Sequence, residues 1–136
     1  MLNPTEHQIQ SAYFDWIKQM RPSDYRYKNI FAIPNGAKLP YLKNKNGKRS
    51  SPQAAILLKE GLTPGVWDVL ISWPLLKQTT NNMIFCGCYI EFKAKKNVLT
   101  SEQKLFQHFN PYYHFEVCRK VEDAINVTKQ WFKGAK

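Results

Sequence analysis

Apolar positions along this chain change period several times, and each change marks an element. Ile9, Tyr13, Trp16, Ile17 and Met20 fall three or four apart, which predicts an amphipathic helix stopped by Arg21-Pro22-Ser23. Asn3-Pro4-Thr5-Glu6 supplies its start, with a cap side chain at Asn3, Pro at the first position and Glu6 three residues after the cap. Lys28 to Pro34 reads as a strand followed by a turn at Asn35-Gly36. Ser51-Pro52 opens a short helix through Ala54, Ala55, Leu57 and Leu58, closed by Gly61. Pro64-Gly65 then turns into an apolar strand that carries Asp68 near its start and ends at Trp73-Pro74. The polar stretch Lys77 to Asn82 reads as an open connection to a longer strand, Met83 to Lys93. Thr100-Ser101-Glu102-Gln103 has capping-box spacing and predicts a helix burying Leu105, Phe106 and Phe109. His114 to Cys118 is a last strand, and Val121, Ala124, Ile125, Thr128, Trp131 and Phe132 form the stripe of a final helix.

The element order is therefore α-β-α-β-β-α-β-α, an α/β chain forming one domain over residues 1–136. Short connections allow the first three strands to form an antiparallel meander. The helix before the last strand suits a parallel crossover, giving a mixed sheet flanked by helices. The sequence contains no internal repeat, linker or low-complexity segment.

Candidate chemistry sits where two strands meet. Side chains alternate along a strand, so Glu91 and Lys93 share a face. An antiparallel neighbour beginning at Asp68 would bring a second carboxylate beside Glu91. Two acids at one sheet end make a hard-oxygen site suited to Mg²⁺, with the carbonyl of Phe92 as a further donor and Glu6 binding directly or through water. Glu6 has a competing use as a capping-box carboxylate, and the two uses are compatible. Lys93, pointing with Glu91, would orient an attacking water or donate to a phosphate oxygen. Glu-x-Lys is a common triplet, expected by chance in roughly one chain in three of this length, and a plain Glu91–Lys93 ion pair is its structural alternative. The decoy Glu102-Gln103-Lys104 lies on a predicted helix, where residues two apart do not share a face.

Charge narrows the partner. The chain carries 20 Lys and Arg against 10 Asp and Glu, a formal net charge of +10, which points to a polyanion. Lys38, Lys43, Lys45, Lys48 and Arg49 crowd one acid-free segment interrupted by Pro40 and Gly47, a candidate phosphate-gripping flap in which Tyr41 could stack on a base. No basic amphipathic helix, signal peptide or membrane-length apolar run is evident, so a cytoplasmic protein without membrane attachment is expected. Cys86, Cys88 and Cys118 are too few, and wrongly spaced, for a disulfide framework or zinc site, and read as buried strand thiols. His7, His108 and His114 show no shared ligand spacing, and the four Trp residues read as core or interface.

Taken in order, these motifs form a series: an N-terminal Glu6; Ile33-Pro34-Asn35-Gly36; Leu58-Lys59-Glu60-Gly61-Leu62-Thr63-Pro64-Gly65-Val66-Trp67-Asp68; Tyr89-Ile90-Glu91-Phe92-Lys93; and Gln103. The series resembles the VRR-NUC family, virus-type replication-repair nucleases of the PD-(D/E)XK superfamily, from about Glu6 to about Ile125. The resemblance implies a restriction-endonuclease-like fold and cutting of DNA dependent on Mg²⁺ or Mn²⁺. It implies metal binding by Asp68 and Glu91, a catalytic Lys93, a supporting Gln103 and a cluster completed by Glu6. It further implies phage or bacterial DNA repair by a homodimer acting on branched DNA such as Holliday junctions. Two departures stand out: Ala37 replaces the second Gly that often follows Asn-Gly, and the connection from Asp68 to Glu91 exceeds a tight hairpin. The alternative from another class is a non-catalytic module gripping DNA or RNA through the basic segment. A small-molecule hydrolase is disfavoured, because no Ser or Cys nucleophile motif is present.

Overall fold

The computed structural model describes residues 3–34, 42–43, 49–50, 52–77 and 82–135. Helix α1 (Glu6–Met20) starts from Thr5, whose hydroxyl accepts from Gln8 N at 3.2 Å while Gln8 Oε1 accepts from Thr5 N at 2.9 Å. The cap is thus Thr5, two residues later than the Asn3 expected from sequence. Glu6 becomes the first helical residue, and the box carboxylate reading of Glu6 is overturned. A 3-10 turn (Tyr25–Asn29) leads into β1 (Ile30–Ala32), shorter than the expected strand. The basic segment contributes β2 (Leu42–Lys43) and β3 (Arg49–Ser50), a minimal antiparallel pair rather than a plain loop. Helix α2 (Pro52–Lys59) closes at Gly61, where φ is +104°.

Strands β4 (Val69–Ile71), β7 (Gly87–Phe92) and β8 (Tyr113–Cys118) join β1 in one sheet of order β1-β4-β7-β8. The first three are antiparallel neighbours and β7–β8 is parallel, as the connection lengths predict. Between β4 and β7 lies an unexpected hairpin of β5 (Leu75–Leu76) and β6 (Met83–Phe85). The long strand expected over 83–93 is broken at Cys86, whose N–H leaves the ladder to donate to Tyr112 O at 2.7 Å.

The sheet's two faces are dressed differently. On one face Val69, Ile71, Cys88, Ile90, Phe92 and Cys118 pack against Ile9, Tyr13 and Ile17 of α1. Ala124, Trp131 and Phe132 of α4 (Val121–Gly134) complete that layer. Tyr13 and Thr128 bind across it, hydroxyl to hydroxyl at 2.7 Å, and Thr128 also donates to Ala124 O at 2.8 Å, so no polar atom of the pair is stranded. On the opposite face Tyr89 stacks on Phe115 at 5.3 Å and meets Phe106 of α3 (Ser101–His108) edge-on at 5.1 Å. Only Phe106 of the three apolar α3 residues is sheltered. Leu105 and Phe109 are 55% and 72% exposed, contrary to the expectation that all three are buried. The inward positions of this short helix go to Gln103, which is buried, and to Phe106 one turn later.

Candidate active site

Alternation along β7 sends Cys88, Ile90 and Phe92 to the α1–α4 face and leaves Glu91 and Lys93 on the α3 face. Opposite, Val69 pairs with Ile90, so Asp68 arrives just before β4 beside Glu91. The two carboxylates are cross-bonded through the backbone: Asp68 N donates to Glu91 Oε1 at 3.1 Å, and Phe92 N donates to Asp68 Oδ2 at 2.9 Å. Lys93 Nζ lies 3.5 Å from Glu91 Oε2. All three residues are buried, with exposures of 1% for Asp68, 2% for Glu91 and 7% for Lys93. Charged side chains are this deeply covered only where something compensates the desolvation.

The loop delivering Asp68 is wedged against α3. Gly65 has φ +89°, and a Cβ there would stand 2.7 Å from backbone atoms of Glu102, so only Gly permits this approach. Trp67, 1% exposed, donates from Nε1 to Gln103 O at 3.1 Å and packs on Phe115 at 4.8 Å. From the other side, Ile33 N donates to Asp68 O at 2.8 Å, tying the end of β1 to the same residue. Gln103 is buried, and its Oε1 accepts from Thr100 N at 2.9 Å while Thr100 Oγ1 accepts from Gln103 N. The capping box expected at Thr100 is therefore present. Gln103 thus spends its side-chain oxygen on the cap of α3.

Glu6 reaches the turn just beyond the same end of β7. Its Oε1 accepts from Ala94 N at 3.2 Å and from Asn97 Nδ2 at 3.1 Å, within the turn that follows Lys93. Among the described residues no group of three or more His, Cys, Asp or Glu is placed to hold an ion. In this arrangement Glu6 thus does not join Asp68 and Glu91 as a direct third ligand. The remaining donor set does fit Mg²⁺: two buried carboxylates and the Phe92 carbonyl, which in a strand lies on the same side as the Phe92 N–H that meets Asp68. The formal charge of Asp68, Glu91 and Lys93 leaves one negative charge in excess, which a divalent cation would offset.

Two contributors escaped the sequence reading: Asn97, which anchors Glu6, and Arg119, whose Nη1 donates to Lys95 O and Asn97 O at 2.9 Å each. Trp67, read as core or interface, is buried and ties the Asp68 loop to α3. Of the nucleic-acid candidates, Lys38, Lys45 and Lys48 lie outside the described residues, as do the Asn35-Gly36 turn, Ala37, Tyr41 and Ser51. Lys43 and Arg49 are register partners in the β2–β3 pair. His7 lines a groove beside Glu6 and Asn97, and His114 binds Glu116 at 2.8 Å and stacks on Trp131, away from the carboxylates. Among the described residues no helix is long and apolar enough to cross a membrane.

No family model and no curated protein matches this sequence. Among solved structures, one described as "VRR_NUC domain protein" matches with a TM-score of 0.69 over 98% of this chain and 93% of that one, at 18% identity. Identity that low carries the architecture and not the chemistry, and the shared architecture includes the mixed sheet and flanking helices derived above. The chain has the restriction-endonuclease-like fold of a VRR_NUC domain protein.

Proposed function

We propose that this protein is a Mg²⁺-dependent DNA endonuclease that hydrolyses phosphodiester bonds at the Asp68–Glu91–Lys93 site, with selectivity for branched DNA. The observation that carries this reading is the cross-bonding of two buried carboxylates with an ammonium group 3.5 Å away. A module that only binds nucleic acid gains nothing from acids facing phosphates. The described fold's likeness to a nuclease-named structure adds support.

Asp68, Glu91 and the Phe92 carbonyl would hold Mg²⁺, with Mn²⁺ as a substitute. When bound, the ion makes water nucleophilic near neutral pH and relieves charge on the phosphoryl oxygens. The chain's own groups do the rest. Phe92 N and Asp68 N fix the carboxylates in one orientation, so neither must reorganise as charge develops. Lys93 orients the water that attacks phosphorus, or donates to a nonbridging oxygen as the bond to the leaving ester oxygen breaks. Glu6 holds the turn beyond Lys93, and any contact it made with the ion would run through water. The segment containing Lys38, Lys43, Lys45, Lys48 and Arg49 grips flanking phosphates, and a homodimer supplies two sites for paired nicks.

The test is a cleavage panel in Mg²⁺ over four-way junctions, flaps, duplex and single strands, with Lys93→Ala and Asp68→Ala as controls. Wild-type protein is expected to nick branched DNA, EDTA to stop it, and each variant to lose at least about a hundredfold in kcat. Equal cutting by Asp68→Ala would refute the assignment. Binding without cutting by wild type would leave a basic binding module. Sedimentation as a monomer at working concentration would remove the dimer.

A further inference from the structure

The strands β7 and β8 run parallel and end together, Phe92 opposite Cys118. The chain leaves both strands at one edge of the sheet, carrying Lys93, Lys95 and Lys96 on one side and Arg119 and Lys120 on the other. Ligands of open sheets collect beyond the carboxyl ends of parallel strands. An open groove of about 620 Å³ lies at this edge between the starts of α1 and α4. Its lining includes Lys95, Arg119, Lys120 and Gln8 against a single acid, Glu122. A second groove, of about 500 Å³, shares Lys95 with it and is lined also by Glu6, Ala94 and Asn97, so the two grooves meet at the turn that follows Lys93. Lys95 itself sits at φ +50°, an uncommon conformation for a residue with a Cβ. Arg119 holds it there by bonding Lys95 O and Asn97 O.

Resting on the nuclease reading above, we propose that this groove carries the phosphodiester backbone of the substrate strand beyond the scissile phosphate, with Lys95 and Lys120 each neutralising one phosphate. The argument is the excess of Lys and Arg over acid in the groove's lining and its adjacency, through Lys95, to the turn that follows Lys93, independent of the basic segment at 38–49. Lys95→Asn removes a charge while keeping a residue type at home at positive φ, and Lys120→Gln leaves the backbone of the α4 cap in place. Both retain Arg119, whose loss would disturb the turn.

Binding of a fluorescent oligonucleotide by the full chain in EDTA, followed by anisotropy over a salt series, reads the proposal. Each lost phosphate contact lowers the slope of log K against log salt by about 0.9 on duplex or 0.7 on single strands. The double variant is expected to lose about 1.8 or 1.4, and Lys120→Gln alone half of that, with tens-fold weaker affinity near 0.1 M salt. An unchanged slope in the folded double variant overturns the groove. A nucleoside monophosphate that competes as well as an oligonucleotide of equal phosphate concentration also overturns it, reassigning the groove to small phosphoesters. The two readings separate cleanly. Binding with the expected slope loss but no cleavage in Mg²⁺ sinks the nuclease and keeps the groove, whereas cleavage with an unchanged slope does the reverse. Absence of any oligonucleotide binding by wild type overturns the groove, and absence of cleavage in Mg²⁺ besides overturns both.

Discussion

Replacing Gly65 by Ala tests how Asp68 is held. The new methyl would stand 2.7 Å from the carbonyl carbon, carbonyl oxygen and Cβ of Glu102, close to 1 Å inside an ordinary carbon contact. Those atoms belong to the first turn of α3, which the Thr100–Gln103 capping box holds in place, so they cannot swing aside. Overpacking of this kind costs about 1–3 kcal/mol. The φ of +89° adds strain of about 1–3 kcal/mol for any residue with a Cβ. The total is about 2–6 kcal/mol. For 136 residues, an unfolding entropy of about 2.1 cal/mol/K per residue gives a shift in Tm of about 3.5 °C per kcal/mol. Gly65→Ala should therefore melt about 7–20 °C below wild type. Gly61→Ala is the matched control: its φ is +104°, but the new methyl meets nothing within 4 Å. It pays the strain alone, about 3–10 °C. Asp68 lies three residues beyond Gly65, so the surviving folded fraction of Gly65→Ala should also cut about a hundredfold more slowly, the usual result of a misplacement near 1 Å. Equal melting of the two variants by calorimetry would refute the contact with Glu102.

Tyr13→Phe deletes a buried hydroxyl bound to Thr128, which still donates to Ala124 O; the loss should be about 1 kcal/mol in urea unfolding, with cleavage unchanged. Burial holds the Cys88 thiol well above its ordinary range and pushes Cys118 up to about 12. From about pH 8.5 upward the unfolded chain sheds these protons while the folded chain keeps them, so stability falls as pH rises, by up to about 1.4 kcal/mol per pH unit for each thiol. Urea midpoints from pH 8 to 11 should decline less in Cys88→Ala/Cys118→Ala than in wild type; parallel curves would exclude the buried thiols as the cause. Leu105→Ser and Phe109→Ser on the exposed side of α3 should each change stability by no more than about 0.5 kcal/mol, and a loss of several kcal/mol would mean that this face is covered.

Legibility in the sequence followed the strength of local chemistry. The stripe Ile9-Tyr13-Ile17 and the Thr100–Gln103 box announce themselves because helical period and capping act within one turn. The sheet order followed from connection length. The break at Cys86 was marked only by the neighbouring Gly87, where a Cβ would stand 2.6 Å from Ile71 O; the apolar run on either side reads the same in one ladder or two. Leu105 and Phe109 misled for a related reason: apolar spacing predicts a face but not whether eight residues of helix find enough sheet to cover it. The meeting of Asp68 with Glu91 was legible because alternation and pairing convert spacing into place. Arg119 gave no warning, because a turn that binds another turn leaves no period to read.

Glu6 illustrates how two residues of register change a role. Asn3 and Thr5 are both good cap residues, and Pro4 suits either frame. With Asn3 as the cap, the Glu6 carboxylate would be spent on its own helix. With Thr5 as the cap, Gln8 takes that duty and Glu6 is released across the molecule to Ala94 N and Asn97 Nδ2. The turn after Lys93 is then held by α1 through Glu6, by the β8–α4 junction through Arg119, and by its own Asn97 N–H to Ala94 O at 3.0 Å. Lys93 N adds a bond to Cys118 O at 3.1 Å. Positive φ at a Lys survives only where the surroundings over-determine it, and these bonds do so at Lys95. The consequence is directional. Glu6→Gln keeps an acceptor for Ala94 N and should preserve both the turn and folding, whereas Glu6→Ala removes the acceptor and should loosen Lys93. If Glu6 acts on the site through this turn, the Gln variant retains cleavage and the Ala variant loses it. If its charge reaches Mg²⁺ through water, both variants fall together, and the Mg²⁺ concentration needed for half-maximal cutting rises in each.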